Sequence, residues 1–362
     1  MASVRQRATK AGERRWVVRY RDPLGRSRER WFSTKLEAVR HGTAQEAKVH
    51  SGHWTDPALG RVTLDTWVGG WRGAMVALKP KTRDSYDSLL SSRILPSLGH
   101  LALAAIKPSV VKTWMAEMES AGLSGSRISQ AVNLLSRIMR DAVHDELITR
   151  NPCDGIRRPA PRRADMVPLT PDELFALIGA VDERYSTLVA TLAYTGMRFG
   201  EACALRWKHV NLLRREITIA ESLSITSYGV DFGPTKTHSR RRIIIVRALA
   251  RLLGDHLTAR DSAGPEDLLF TSSSGGPVRG SNFRRRVWKP AVMAIGHENL
   301  RIHDLRHTCA SLLIDAGASL VDVAAHLGHE NPTTTLKYYG HLTPGSGEAI
   351  AQKLDSIIEG IA

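Results

Sequence analysis

Residues 151–168 hold four prolines and the arginines Arg157, Arg158, Arg162 and Arg163, with no hydrophobic period of helix or strand type. Proline removes a backbone donor and fixes φ, so neither a helix nor a central strand runs through such a segment. A chain interrupted in this way does not close around one core; it folds as separate bodies on either side. The full length of 362 residues suits that division, because domains cluster near ~100–150 residues. Hydrophobic residues make up 42% of the chain and charged residues 24%, which leaves each body enough apolar material for a core of its own.

The charge balance narrows the partner. Lys and Arg number 51 against 36 Asp and Glu, giving +15 and a pI near 10.1. Such an excess favours a polyanion, either nucleic acid or an anionic membrane surface. No apolar run approaches the ~18–20 residues that span a bilayer, and the basic N-terminus is not followed by the apolar stretch of a secretory signal. Cys153, Cys203 and Cys309 are isolated, which argues against a disulfide framework and a four-cysteine zinc site. The expectation is a soluble, intracellular protein that binds nucleic acid, without a membrane, metal or cofactor.

Residues 1–56 carry 13 Lys and Arg against 6 Asp and Glu. Two strand-like runs, RRWVVRYRD and RSRERWFST, flank Pro23-Leu24-Gly25 and read as a hairpin, with a helix from about Lys35 to His50. A small basic sheet with a helix could lie in a DNA groove; a merely solvated hairpin is the plainer alternative. Residues 61–155 read as helices. In RISQAVNLLSRIMRDAVHDELI, residues Ile128, Val132, Leu135, Ile138, Met139 and Val143 share one stripe, with Arg137 and Arg140 off it. Residues 156–168 form the basic, proline-rich linker, suited to a clamp and equally to a plain tether. Residues 169–362 form the largest domain. It opens on a helix start with Thr170 as N-cap, Pro171 next and Glu173 in the box position. REITIA and RRIIIV suggest a small antiparallel sheet among helices. The expected fold class is therefore multidomain: a small β-sheet plus helix, an all-α domain, and a mainly α domain with a small antiparallel sheet (α+β).

Four stretches of the last domain concentrate unusual polar residues. In AYTGMRFGEACALRW, Arg198 stands near a helix start, unfavourable for the helix dipole unless an anion is near. Lys236 lies in GPTKTHSR, a hairpin loop ahead of RRIIIV. In RIHDLRHT, His303 and His307 have the spacing of a zinc-protease helix, but Asp304 stands where that motif needs Glu. Arg306, on the same face as His303, would oppose a divalent metal; an imidazole beside a guanidinium suits a phosphate instead. The fourth stretch, LGHENPTTTLKYYGH, carries His329 and the adjacent Tyr338 and Tyr339.

Arg198, Lys236, His303, Arg306, His329 and a tyrosine near 339, in that order, resemble the tyrosine recombinase (phage integrase) family. TGMRFGE, HDLRHT and LGH…TTTLKYYGHL carry the likeness, which spans nearly the whole chain. It implies an arm-type DNA-binding domain at 1–56, a core-binding domain at 61–155 and a catalytic domain at 169–362. The chain would then be a site-specific recombinase that cuts and rejoins DNA through a covalent 3′-phosphotyrosyl intermediate, integrating or excising a phage or mobile element. Two guanidiniums can fork onto a phosphate, which suits Arg198 and Arg306 as a clamp. The resemblance implies Lys236 as acid for the leaving 5′-oxygen, His303 as the group that takes or orients the tyrosine proton, and His329 as a phosphate donor. A phenol of pKa ~10 needs such a positive pocket to act as nucleophile. Glu201 reads as a brace for the Arg198 turn. The family's run of tyrosine, a small or polar residue, then histidine fits Tyr339-Gly340-His341, and favours Tyr339 over Tyr338. Implied partners are double-stranded DNA attachment sites, a homotetramer on DNA, and a directionality factor and DNA-bending protein. An apolar stripe in residues 347–362 suggests a tail helix that docks on a neighbouring subunit, or on its own domain. The alternatives are a catalytically inactive DNA-binding regulator of the same fold, a type IB topoisomerase-like relaxing enzyme and, as an outsider, a zinc hydrolase.

Overall fold

A computed structural model describes the chain except for residues 1, 10, 11, 52, 53, 55, 57, 76, 77, 161–167, 236–239, 261–263, 329, 330, 340–350, 352–354 and 356–362, and the side chains of 332, 334 and 337. The chain divides into two compact units, Met1–Arg163 and Ala164–Ala362. Among the described residues no helix is long and apolar enough to cross a membrane. The stripe expected in residues 347–362 lies outside the described residues, apart from Ala351 and Asp355.

The first unit opens with an antiparallel sheet in the order β1 (Ser3–Ala8), β2 (Arg14–Arg21), β3 (Ser27–Phe32). The β2–β3 turn is closed by the buried Asp22, whose carboxylate accepts from the backbone N–H groups of Leu24 and Arg26 and from Arg28 Nε at 3.0 Å. Gly25 supplies the left-handed residue at φ 77°. Helix α1 (Lys35–His50) begins in a full capping box between Thr34 and Glu37. It packs on the sheet face carrying Val18, where Gly42 leaves room for the Val18 methyl. Arg5, Arg7, Arg15 and Arg19 are all exposed, and the register places them together on the opposite face. Strand β1 goes beyond the two-stranded hairpin read from sequence, because Ser3–Ala8 buries no side chain and has no apolar alternation.

A helical array follows: α2 (Leu64–Ala74), α3 (Pro80–Leu89), a π-helical turn at Leu90–Ile94 running into α4 (Leu95–Leu98), α5 (Pro108–Ser120) and α6 (Gly125–His144). Its core gathers Leu64, Leu90, Ile94, Val111 and Trp114 around the α6 residues Ile128, Val132, Leu135, Ile138 and Met139. Val143 packs at the edge of that core. The Trp71 indole donates to Asp141 at 2.6 Å, tying α2 to α6.

The second unit comprises α7 (Pro171–Ala180), α8 (Glu183–Thr195), α9 (Phe199–Cys203), β4 (Val210–Asn211), β5 (Glu216–Ile219), β6 (Glu221–Thr226), β7 (Gly229–Pro234), β8 (Arg241–Ile244), α10 (Arg247–Thr258), α11 (Gly280–Phe283), α12 (Lys289–Ala294), α13 (Asp304–Asp315), α14 (Leu320–Leu327) and α15 (Pro332–Tyr339). Thr170 and Glu173 cap α7 reciprocally. Helix α8 is buried from Thr187 to Ala193, so it forms the axis of the unit rather than a surface helix. REITIA and RRIIIV pair as β5 and β8, with Ile217 opposite Ile243, and β4 extends the sheet. The hairpin β6–β7 between them forms a separate two-stranded sheet. A small second core of Ala310, Ile314, Val323, Leu327 and Tyr339 joins α13, α14 and α15.

Candidate active site

Arg306 lies on the first turn of α13 and is 3% exposed. Its Nη1 donates to the Gly196 carbonyl and its Nη2 to the Leu327 carbonyl, both at 2.7 Å. These oxygens belong to the C-terminal ends of α8 and α14, where Gly196 (φ 60°) and Gly328 (φ 69°) turn the chain left-handed. Helix ends leave carbonyls unpaired and carry partial negative charge, so a guanidinium between two of them is held in place. Neither glycine admits a side chain: a Cβ on Gly196 would lie 2.5 Å from Leu327 Cδ2, and one on Gly328 2.8 Å from Arg241 Cδ. Burial, then the neighbouring charge of Arg198, pulls Arg306 down to about 10, so it stays cationic at neutral pH.

Arg198 is the N-cap of α9, and Glu201 sits three residues on. The Glu201 carboxylate, 1% exposed, accepts from the Arg198 backbone N–H at 3.0 Å and from Arg198 Nη1 at 2.8 Å. It also accepts from Arg241 Nη2 at 2.7 Å. Burial by itself would raise Glu201, but Arg241 and Arg198 hold it below the usual carboxylate range. Arg198 and Arg241 therefore share one carboxylate, and with the nearby Arg306 cation they leave a local positive excess that an anion would neutralise. Helix α9 presses on β6 through Gly200, where a Cβ would stand 2.7 Å from Ser222 Oγ and 2.8 Å from the Leu223 carbonyl oxygen.

Tyr339 ends α15 with its ring in the small core, 1% exposed. Its hydroxyl is 2.5 Å from His307 Nδ1. Burial pushes the phenol up, while Arg306 pulls in the opposite direction. His307 is pushed down to about 4, by burial and then by His303. Tyr338 is 39% exposed and its ring centroid lies 5.8 Å from that of His307. Of the two tyrosines, Tyr338 is therefore the more exposed, and the expected nucleophile, Tyr339, is the buried one.

His303 precedes α13 and reaches the surface; its ring meets His307 edge-on at 5.3 Å between centroids. Crowding by the surrounding protein, then Arg306, holds it below the ordinary imidazole range. Asp304 has both oxygens engaged by Arg301, with Nη2 to Oδ1 at 2.7 Å and the backbone N–H to Oδ2 at 2.7 Å. Among the described residues no group of three or more His, Cys, Asp or Glu could hold a metal ion.

Arg198, His303, Arg306 and Tyr339 thus fall in one region, linked through Glu201 and His307. Lys236 and His329 lie outside the described residues, although each directly follows a described piece of this site. Thr235 is buried at the end of the β6–β7 hairpin, and Gly328 caps α14. Sequence reasoning missed Arg241. The signal was strand alternation, since Arg241 is two residues from the buried Ile243 in β8 whereas Arg242 faces solvent. It also missed His307 as the partner of Tyr339, which depends on how α15 packs against α13.

Residues 168–345 match the phage integrase family and residues 75–118 the phage integrase N-terminal SAM-like domain. The chain is 30% identical over 338 residues to the integrase of Mycobacterium phage D29, covering 90% of this chain and 89% of that one. Among solved structures it resembles the Tn1549 transposon integrase in complex with a circular intermediate DNA, with a TM-score of 0.71 at 22% identity over 80% of this chain and 99% of that one. It also resembles a lambda integrase tetramer bound to a Holliday junction, with a TM-score of 0.58 at 19% identity over 92% and 94% of the two chains. Related over nine-tenths of its length to a phage integrase, and matching the phage integrase family over residues 168–345, the chain belongs to the phage integrase family, as a tyrosine-type site-specific DNA recombinase.

Proposed function

We propose that the chain breaks and rejoins two DNA duplexes through a 3′-phosphotyrosyl bond on Tyr339, with four copies assembled on the DNA. The observation that carries this reading is the cationic cluster beside Tyr339: Arg306 fixed by two helix ends, with Arg198 and Arg241 sharing the single carboxylate of Glu201. Guanidiniums held in advance of the reaction stabilise the charge that builds on a phosphate in its transition state without reorganising. In this reading Arg198 and Arg306 grip the non-bridging oxygens, His329 donates to them, His303 lines the entrance, and Lys236 protonates the leaving 5′-oxygen. The ester stores the energy of the broken bond, so rejoining needs no nucleotide.

The same reading assigns residues 1–56 to distant arm sites, residues 61–155 and 169–362 to a clamp on the core site, and residues 156–168 to the connection between its halves. The open sheet face bearing Arg5, Arg7, Arg15 and Arg19 supports the first assignment. The relatives solved on DNA, among them the tetramer on a Holliday junction, support the assembly. A directionality factor and a DNA-bending protein would complete it, in the bacterial cytoplasm. A nicked suicide substrate, from which the cleaved fragment diffuses away, traps the covalent complex on a denaturing gel. Tyr339→Phe should bind the DNA and form no adduct, while Tyr338→Phe still forms it; the reverse pattern would overturn the assignment.

A further inference from the structure

Resting on the reading of Tyr339 as nucleophile, we propose that His307, rather than His303, takes the proton from the Tyr339 hydroxyl as it attacks the DNA phosphate. The two side chains already touch, with Oη 2.5 Å from Nδ1, and both are fixed by their surroundings. The Tyr339 ring is embedded among Ala310, Ile314, Val323 and Leu327. His307 is half-buried one residue beyond Arg306 on α13. A base has to lie within about 2.6–3.2 Å of the atom whose proton it removes, or nearer, and His307 meets that condition before any DNA arrives.

The electrostatics fit a base that is neutral while waiting. Burial and the neighbouring His303, Arg301 and Arg306 disfavour a charge on His307, with Asp304 alone among its charged neighbours opposing them, and the ring sits at about 4. Its Nδ1 lone pair is therefore open to the phenol at neutral pH, with the ring proton on Nε2. Burial meanwhile raises Tyr339, so its proton stays on oxygen until attack begins. An incoming phosphate adds negative charge next to these cations, which lowers the cost of forming an imidazolium. The step balances. The Oη–H bond breaks and its proton passes to Nδ1, Oη forms the bond to phosphorus, and the P–O5′ bond breaks. The released electron pair on O5′ takes a proton from Lys236. Rejoining runs the same transfers backwards, so no proton is gained or lost over the cycle.

Asparagine separates a base from a hydrogen-bonding prop, because its amide oxygen can accept from the phenol yet cannot take the proton. On the full-length chain, His307→Asn should bind the nicked substrate normally and form adduct ~10²–10⁴-fold more slowly. That deficit should persist on a substrate with sulfur at the 5′-bridging position, where the thiolate leaves without an acid, whereas the deficit of Lys236→Ala should be relieved. Adduct formation by His307→Asn within about threefold of the natural chain would overturn the proposal, as would a deficit that disappears on the sulfur substrate. His307→Gln repeats the test if asparagine impairs folding, as judged by melting. The natural chain supplies an independent reading: His307 sits at about 4 and an incoming phosphate raises it, so on the sulfur substrate the rate should be at least halved by pH 4, and a rate at pH 4 equal to that at pH 7 would contradict a titrating base. Tyr339→Phe and Tyr338→Phe run alongside keep the two failures apart. If only Tyr338→Phe blocks the adduct, the nucleophile is misassigned; if Tyr339→Phe blocks it and His307→Asn does not, only the base is.

Discussion

At the scale of single residues, Arg306 shows why position matters as much as charge. Its two bonds to Gly196 and Leu327 need the planar fork of a guanidinium. Lysine keeps the charge but spans only one of those carbonyls with good geometry. Arg306→Lys should therefore cost about 1–3 kcal/mol of stability, from a buried carbonyl left unpaired, and should abolish adduct formation while DNA is still bound. Melting and suicide-substrate assays check the two effects separately. His307 has a stability signature of its own. Its folded value, about 4, lies below the ordinary 6.5, so between those values the unfolded chain binds a proton that the folded chain refuses. Stability should fall as pH drops through that window and be unaffected by this group above it. His303, His326 and His256 are lowered in the same direction. The melting temperature should accordingly decline from pH 7 to pH 5, and less steeply in His307→Asn; an unchanged slope in that variant would contradict the assignment.

Elements position what the residues do. The β6–β7 hairpin ends at Pro234, two residues before Lys236 in the sequence, and Gly200 is where α9 and the hairpin meet. Gly200→Ala should push β6 outward, slowing cleavage at least tenfold, while melting changes by only a few degrees; unaltered cleavage would separate the hairpin from the chemistry. This part of the fold was poorly legible in the sequence. Helix α1 and the start of α7 could be read directly, because Thr34–Glu37 and Thr170–Glu173 are local capping boxes. The α6 stripe was equally plain, since one buried face repeats at helical spacing. Strand β1 was missed because no apolar alternation marks it, and the β6–β7 hairpin because its alternating Leu223, Ile225, Val230 and Phe232 are only half-buried or exposed and form a short, weak signal. In the site, Arg198, His303, Arg306 and Tyr339 stood out by their order along the chain. Arg241 and the role of His307 did not, because each acquires its partner only when distant elements pack together.

At the scale of the molecule, net charge and its placement govern DNA binding. Replacing Arg5, Arg7, Arg15 and Arg19 by Gln would clear the open face of the first sheet without touching its core. Binding to arm sites should weaken and its salt dependence should flatten, by roughly 0.9 in log–log slope for each phosphate that is no longer neutralised. Cleavage of an isolated core site should be unchanged; equal weakening at both sites would remove the arm-domain assignment. Every step of the mechanism, from the arginine clamp to the proton on His307, depends on one bond between the chain and its DNA. The most direct test is to trap the natural chain on a nicked attachment-site substrate, digest the DNA and the protein, and locate the nucleotide adduct by mass spectrometry. A 3′-phosphonucleotide on Tyr339 is the predicted result, and an adduct on Tyr338 or any other residue, or none at all from a DNA-bound chain, would contradict it.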